Sequence, residues 1–246
     1  MSMGLPDGCR ERPGMRGRRW IIAGVAAGLL GLAIGATALA APSIAAIACP
    51  QCYGLSDLGG GIYAEQDDDR FREIVAAADR RIGGFYGERT SDARVLICAT
   101  KDCYSGIGGG GEKGRAFGRW ALMLSPDGAN ETIATHELAH LELHKRLGSA
   151  YDTVPDWFDE GLAVLISEDV RYLKPATESD RCLVPHAEAA RITGADWDTA
   201  GPPGDDRKYL LAGCVVSRWV SEHGGPSAVH TLISELREGK PFSEIV

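Results

Sequence analysis

Basic residues are scarce in this chain relative to acidic ones. The 246 residues include 26 lysines and arginines against 34 aspartates and glutamates, which gives a formal net charge of −8. Residues 1–40 hold five of the basic and two of the acidic residues, so the rest of the chain carries 21 basic and 32 acidic residues. An acidic surface repels a polyphosphate backbone. The composition therefore argues against nucleic acid as a partner.

The sequence also lacks a recognisable phosphate-binding loop, an internal repeat and a coiled coil. Its glycine-dense stretch, GIGGGG at residues 106–111, has no Lys-Ser or Lys-Thr pair after it and is not expected to open a helix. We interpret it as a hairpin loop between two strands, at residues 93–100 and 119–126, and expect no nucleotide cofactor. The apolar residues of the first strand are β-branched and continuous, which is typical of a buried strand.

A long uncharged apolar run occurs near the N-terminus. Residues 21–41 contain no charged side chain, and three arginines lie just before them. This pattern predicts a segment that enters a membrane and sends the rest of the chain outward. Cleavage after Ala40 as a signal peptide, retention of residues 20–41 as an anchor, and lipid attachment at Cys49 are alternatives. Translation from Met1 or from Met15 fits the pattern.

The remaining chain is long enough to bury one core. We expect a leader over residues 1–40, a connector over residues 41–62 and one globular domain over residues 63–246. The predicted location is periplasmic or extracellular, with attachment to the membrane if the leader is not cleaved.

The cysteines fit this location. One of the seven precedes the apolar run, which leaves an even set of six beyond it, and an oxidising compartment favours their pairing. The preferred pairs are Cys98 with Cys103 and Cys182 with Cys214, which leaves Cys49 with Cys52. A CxxC with no second pair would offer only half of a tetrahedral zinc site.

Apolar residues at helical spacing predict a largely helical C-terminal half. An earlier helix should begin at Asp67 to Asp69, place an apolar face over residues 71–82 and end at Gly83 and Gly84. Residues 174–206 are rich in Pro, Gly, Asp and Thr and predict a long loop with a short helical piece. The other predicted helices run from Asn130 or Thr132 to Leu147, from about Pro155, over 186–191 in that loop, from about 206 to Gly224, and from Pro226.

The stretch THELAHLELHKRLGSAYDTVPDWFDEGLA, residues 135–163, contains a candidate metal site. His136 and His140 differ by about 40° around a helix axis, so they point the same way and can share one ion. Glu137 lies beside them and can take the proton of a water that the ion activates. Glu160, on the helix that returns after a turn, can supply a third ligand and leave one coordination position open.

These residues resemble the gluzincin metallopeptidases, in which HExxH is followed by a glutamate ligand after 18 or 19 residues. Nineteen residues, 141–159, separate the two motifs here. The residues around Glu160, WFDEGLA, resemble the W-[FL]-x-E-G-x-A segment of bacterial peptidase MA-like domains. The resemblance implies Zn²⁺ bound by His136, His140 and Glu160.

The resemblance also implies an α+β, zincin-like fold from about residue 60 to the end of the chain. In such a fold a small, mostly antiparallel sheet packs on the active-site helix, and its edge strand, here residues 119–126, lies alongside the substrate. A downstream Tyr or His stabilises the oxyanion in these enzymes. Tyr209 matches best by position, with Tyr172 and His186 as rivals.

The chain lacks three sequence features of known zinc peptidase groups. The G-x-M-E-N exopeptidase motif is missing, so aminopeptidase activity does not follow. Val164 occupies the position where thermolysin-like enzymes have an Asp that orients a histidine, so that support must come from elsewhere. Leu143 and Arg146 occupy the positions of the metzincin Gly and third His, which excludes the metzincin pattern.

The neighbouring side chains have structural interpretations. His144 lies about 12 Å along the helix axis from His136, which makes it a surface residue or a support for the ligands. Glu142 and Lys145 are expected on a solvated face. Core positions are expected for Leu138, Leu141, Leu143, Trp157 and Phe158, whereas His223 and His230 fit a helix terminus and a helix surface.

Together these patterns predict an exported zinc peptidase, with Glu137 as general base and a peptide or protein as substrate. The alternative is a non-catalytic, membrane-tethered module that binds zinc or a partner. Loss of function in a Glu137→Gln variant that retains zinc would distinguish the enzyme from the module.

Overall fold

The computed structural model describes Met1, residues 42–194, residue 197 and residues 206–246. The predicted leader and its cleavage site lie outside these residues, apart from Met1. None of the helices within the described ranges is both long and apolar enough to span a bilayer.

A five-stranded mixed sheet forms the centre of the fold, in the order β1-β2-β3-β5-β4. The two outer pairings are antiparallel, and the two inner pairings, β2 with β3 and β3 with β5, are parallel. The expectation of a mostly antiparallel sheet was therefore wrong, because the chain enters β3 in the same direction as β2, and enters β5 in the same direction as β3. The strands are β1 (Ser56–Gly59), β2 (Ile62–Ala64), β3 (Arg94–Ile97), β4 (Gly114–Phe117) and β5 (Ala121–Leu124).

The edge strand differs from the predicted one. Residues 119–126 were expected at the edge, but β5 lies inside the sheet and all four of its residues are buried. Its uninterrupted apolar sequence suits burial on both faces. The edge strands are β1 and β4, and β4 begins in the stretch predicted as a hairpin loop. That hairpin is wrong as well, since a short helix and β4 intervene between the parallel neighbours β3 and β5.

Eight α-helices occur in the described residues. The N-terminal part of the predicted connector is helical, and residues 56–64 of this region supply the first two strands. The helices are α1 (Pro42–Ala48), α2 (Asp69–Tyr86), α3 (Lys101–Gly106), α4 (Glu131–Leu147), α5 (Asp156–Ser167), α6 (His186–Ala189), α7 (Arg207–Glu222) and α8 (Pro226–Arg237).

The predicted ends of α4 are confirmed. The Asn130 side chain accepts a hydrogen bond from the Ile133 N–H at 3.0 Å, which satisfies one free donor of the first turn. Gly148 ends the helix with φ 64°, a conformation that favours glycine. The predicted end of α2 is wrong: Gly83 and Gly84 lie within that helix, which continues to Tyr86.

Side chains of the sheet alternate between two apolar layers. Val95 and Ile97 of β3 belong to the main core with α2, α4, α5, α7 and α8, whereas Leu96 faces a smaller cluster with residues of α1 and α3. The predicted core residues Leu138, Leu141, Leu143, Trp157 and Phe158 are all buried. The sheet therefore lies between two helical layers, and α4 and α5 are fixed in the larger one.

The three predicted disulfides are confirmed as Cys49–Cys52, Cys98–Cys103 and Cys182–Cys214. The last joins the loop after α5 to α7 across 32 residues. Such a cross-link stabilises the fold, because it removes conformations of the unfolded chain.

Glu142 is not on a solvated face. Its carboxylate is fully buried and accepts hydrogen bonds from the N–H groups of Thr90 and Ser91, from the Thr90 hydroxyl and from Arg146. Burial alone raises the pKa of this carboxyl, but these donors outweigh burial and lower it. Glu142 therefore joins α4 to the segment before β3.

Glu142→Gln should lower the free energy of unfolding by about 2–3 kcal/mol, because an amide replaces a charged acceptor that faces several donors. Urea unfolding followed by circular dichroism measures the change. Glu178→Gln, at an exposed position, is the matched control. Equal stability of the two variants would contradict the role given to Glu142.

Candidate metal centre

The packing of α5 against α4 brings three predicted metal ligands together. The Nε2 atoms of His136 and His140 lie 3.2 Å apart. The Glu160 Oε2 atom lies 3.2 Å from the first and 3.5 Å from the second. These three side chains, called the His–Glu cluster below, converge because a short 3-10 turn, Gly148–Thr153, returns the chain after α4.

The spacing of the three atoms fits a metal ion. Ligands at about 2.0–2.1 Å from a tetrahedral ion lie roughly 3.3–3.4 Å from one another, close to the separations in the cluster. Two imidazoles and one carboxylate suit zinc and related divalent ions. A second group, Glu65 with Cys98 and Cys103, is also close together, but its sulfurs form a disulfide and Glu65 accepts hydrogen bonds from Ala99 and Thr100.

Asp159 supports the His–Glu cluster, and the sequence analysis did not identify it. The His140 Nδ1–H donates to its Oδ1 atom at 2.7 Å. A metal ion bound by the cluster would require a neutral His140, whose proton on Nδ1 leaves the lone pair of Nε2 directed toward Glu160 and His136. Asp159 therefore supplies a carboxylate that orients His140, the support for which the sequence analysis named no residue.

His144 forms a hydrogen bond with the second carboxylate oxygen of Asp159. Its Nε2–H donates to the Asp159 Oδ2 atom at 2.7 Å, and its Nδ1–H donates to the Gly118 carbonyl at 3.2 Å. Both ring nitrogens face acceptors, which favours the charged imidazolium. Burial lowers the pKa of His144, but Asp159 outweighs burial and raises it. Of the two predicted roles for His144, support of the ligands is the one that these contacts describe.

The carboxylates of Asp159 and Glu160 are stabilised in their charged forms. Burial raises the pKa of both groups, but the neighbouring histidines outweigh it. His140 charge and hydrogen bonds from His136 and His140 bring the pKa of Glu160 to about 2. The pKa of Asp159 falls below its ordinary range because His140 and His144 both contact it. Glu160 is thus charged at neutral pH, as a carboxylate ligand must be.

Glu137 lies between the His–Glu cluster and the edge strand. Burial raises the pKa of its carboxyl, although His136, His140 and a hydrogen bond from the Ala116 N–H act in the opposite direction. A Cβ atom at Gly114 would lie 2.8 Å from the Glu137 Cγ atom, so β4 approaches Glu137 this closely only with glycine there. That glycine was a signal of the contact which the sequence analysis did not use.

A cavity of about 390 Å³ opens on this side of the cluster and includes His136, Glu137 and Tyr209 in its lining. The ring centroids of Tyr209 and His136 lie 6.2 Å apart. Burial, with the charges of Glu160 and Glu137, raises the pKa of Tyr209, so its hydroxyl keeps its proton at neutral pH.

The two rivals of Tyr209 are placed differently. Tyr172 lines the same cavity, but its hydroxyl donates to Asp206 at 2.8 Å and its ring stacks on Tyr209. His186 lines a different cavity, next to Trp157 and Trp219. Among the three candidates, Tyr209 is therefore the one whose ring contacts a member of the His–Glu cluster.

Asp159→Asn should weaken zinc binding roughly 10–100-fold, because the charged partner of His140 and His144 is lost. Competition with a chromophoric chelator measures the affinity. Asp102→Asn, at an exposed position, controls for the loss of one acidic charge. Unchanged affinity in Asp159→Asn would exclude a supporting role for this carboxylate.

Comparison with known proteins adds no family assignment. A scan against protein-family models, a search of curated proteins and a search of solved structures each found no match to this chain. The functional argument therefore depends on the geometry of the His–Glu cluster and its cavity.

Proposed function

We propose that the protein is an exported zinc peptidase in which His136, His140 and Glu160 hold the ion. The observation that carries this proposal is the convergence of the three ligand atoms within 3.2–3.5 Å, with Glu137 in the same cavity. Three protein ligands with one open position are typical of catalytic zinc, whereas structural zinc has four protein ligands. No fourth ligand belongs to this group among the described residues.

A zinc ion held there would act as a Lewis acid that lowers the pKa of water and polarises the scissile carbonyl. The chain's own residues supply the proton transfers. The Glu137 carboxylate takes a proton from the attacking water and delivers it to the leaving nitrogen. Its raised pKa brings it nearer the pH at which such an exchange is efficient.

Tyr209 is the proposed oxyanion donor. Its hydroxyl retains a proton because its pKa is raised, and it can therefore donate a hydrogen bond where negative charge develops on the carbonyl oxygen. Its position at the start of α7 places it on a helix that the Cys182–Cys214 disulfide ties to the preceding loop.

The edge strand supports a peptide substrate. An extended peptide can pair with an exposed sheet edge through its main chain, and β4 is the edge strand that approaches Glu137 at Gly114. An edge strand beside the HExxH helix, followed by a helix with the glutamate ligand, supports a zincin-like fold. We place this domain outside the cytoplasm because its three disulfides suit an oxidising compartment.

Glu137→Gln should retain zinc and lose peptide hydrolysis by roughly 10²–10⁴-fold, since the amide cannot accept a proton. Glu160→Ala should lose zinc itself. Metal analysis of the purified domain and digestion of a peptide library give the two measurements, and Glu235→Gln on α8 is the matched control. Unchanged hydrolysis in a zinc-loaded Glu137→Gln protein would refute the mechanism, and zinc without hydrolysis in the native protein would favour a non-catalytic module.

A further inference from the structure

A second cavity lies beyond the far end of β4, beside the turn that joins β4 to β5. Its volume is about 430 Å³. This cavity, called the aromatic pocket below, is lined by Gly118, Arg119, Trp120, His144, Gly148, Ser149 and Tyr151. It is separate from the cavity that contains His136, Glu137 and Tyr209.

Two aromatic side chains are open to solvent at the aromatic pocket. Trp120 is 65% exposed and Tyr151 is 46% exposed, whereas every other Phe, Tyr and Trp in the described ranges is buried or partly buried. The Arg119 Cζ atom lies 4.8 Å from the centroid of the Trp120 ring. The ring centroids of Tyr151 and His144 lie 5.5 Å apart. Large apolar side chains exposed together at one cavity indicate a binding site.

The strand β4 connects the aromatic pocket to the His–Glu cluster. Gly114, at its start, lies against Glu137, and Gly118, directly after its end, accepts a hydrogen bond from His144. Four residues of extended chain cover about 13 Å. A peptide paired with this edge strand can therefore have its scissile bond at Glu137 and a side chain at Trp120.

We propose that the aromatic pocket binds a large apolar side chain, preferably aromatic, of the peptide that pairs with β4. This inference rests on the proposed peptidase function and adds a specificity site to it. An antiparallel peptide directs its amino-terminal side toward Gly118. Since about 13 Å of extended chain separates Gly114 from Gly118, the bound side chain belongs to a residue four or five positions before the bond that is cut.

The aromatic character of the pocket supports this choice of ligand. Offset or edge-to-face packing against Trp120 and Tyr151 favours another aromatic ring. Two lining side chains can carry positive charge: Arg119, which lies over the Trp120 ring, and His144, which is engaged with Asp159 and Gly118. The open surface thus offers aromatic contact rather than an unpaired charge for a charged side chain.

The first test compares cleavage of end-blocked hexapeptides that contain either a single Phe at one of these positions or only alanine. The zinc-loaded full chain should cleave the Phe peptide with a kcat/KM roughly tenfold higher. Trp120→Ala should remove this preference by raising the KM of the Phe peptide toward that of the all-alanine peptide. Leu183→Ala, at another exposed apolar position, should retain the preference.

The second test measures binding without hydrolysis. Isothermal titration of the same peptides into zinc-loaded Glu137→Gln protein should show tighter binding of the Phe peptide, and the double variant Glu137→Gln with Trp120→Ala should lose that difference. Tyr151→Ala in place of Trp120→Ala gives an independent check. Thermal unfolding establishes that each variant is folded.

The two tests separate this inference from the proposed function. Binding that depends on Trp120 without any hydrolysis by the native protein would overturn the peptidase and support the aromatic pocket. Hydrolysis with no Trp120-dependent preference would support the peptidase and overturn the aromatic pocket. A preference for Phe on the carboxyl side of the cleaved bond would overturn the antiparallel placement proposed here.

Discussion

The close approach of α4 and α5 is the constraint on which the candidate site depends. It places two imidazole nitrogens and a carboxylate oxygen within 3.5 Å of one another in a largely buried position. Polar groups concentrated in this way are costly to bury unless a cation or protons compensate for the lost hydration. A divalent ion satisfies all three at once, and this explains how one packing contact can hold a metal site.

Two further carboxylates keep α4 in position, one at each side. Glu142 joins the helix to the segment before β3 through the Thr90 and Ser91 amides, and Asp159 joins it to α5 through His140 and His144. His136 has no comparable partner outside the cluster in the described contacts. The orientation of the His140 ring is therefore more strongly fixed than that of the His136 ring, since both nitrogens of His140 contact polar atoms.

Local sequence patterns predicted α4, α5 and the convergence of His136, His140 and Glu160, because the information is contained in one short stretch. Helix spacing sets His136 against His140, and Asn130 and Gly148 mark the ends of α4. The sheet was harder to predict: whether two apolar strands are parallel depends on the connection between them, and the short helix α3 and strand β4 in that connection leave little trace in a glycine-rich sequence.

The missed side chains have a similar explanation. Helix periodicity places Glu142 on the polar face of α4. The sequence around it does not indicate that the amides of Thr90 and Ser91, some fifty residues earlier, donate hydrogen bonds to it. Asp159 stands directly before a predicted ligand, but its role follows from the angle at which α5 meets α4. Polar partners across elements are therefore the part of this site that requires the tertiary structure.

The strand β4 extends from the candidate metal centre to the aromatic pocket. Glu137, the proposed general base, lies at its start, near Gly114, while the exposed aromatic side chains lie beyond its end, near Gly118. Contacts distant from the reacting bond can contribute to rate by fixing the substrate's position. An edge strand is well suited to this use, because main-chain pairing sets the register of a bound peptide in steps of two residues. Chemistry and selection can therefore occupy opposite ends of one short strand without competing for the same side chains.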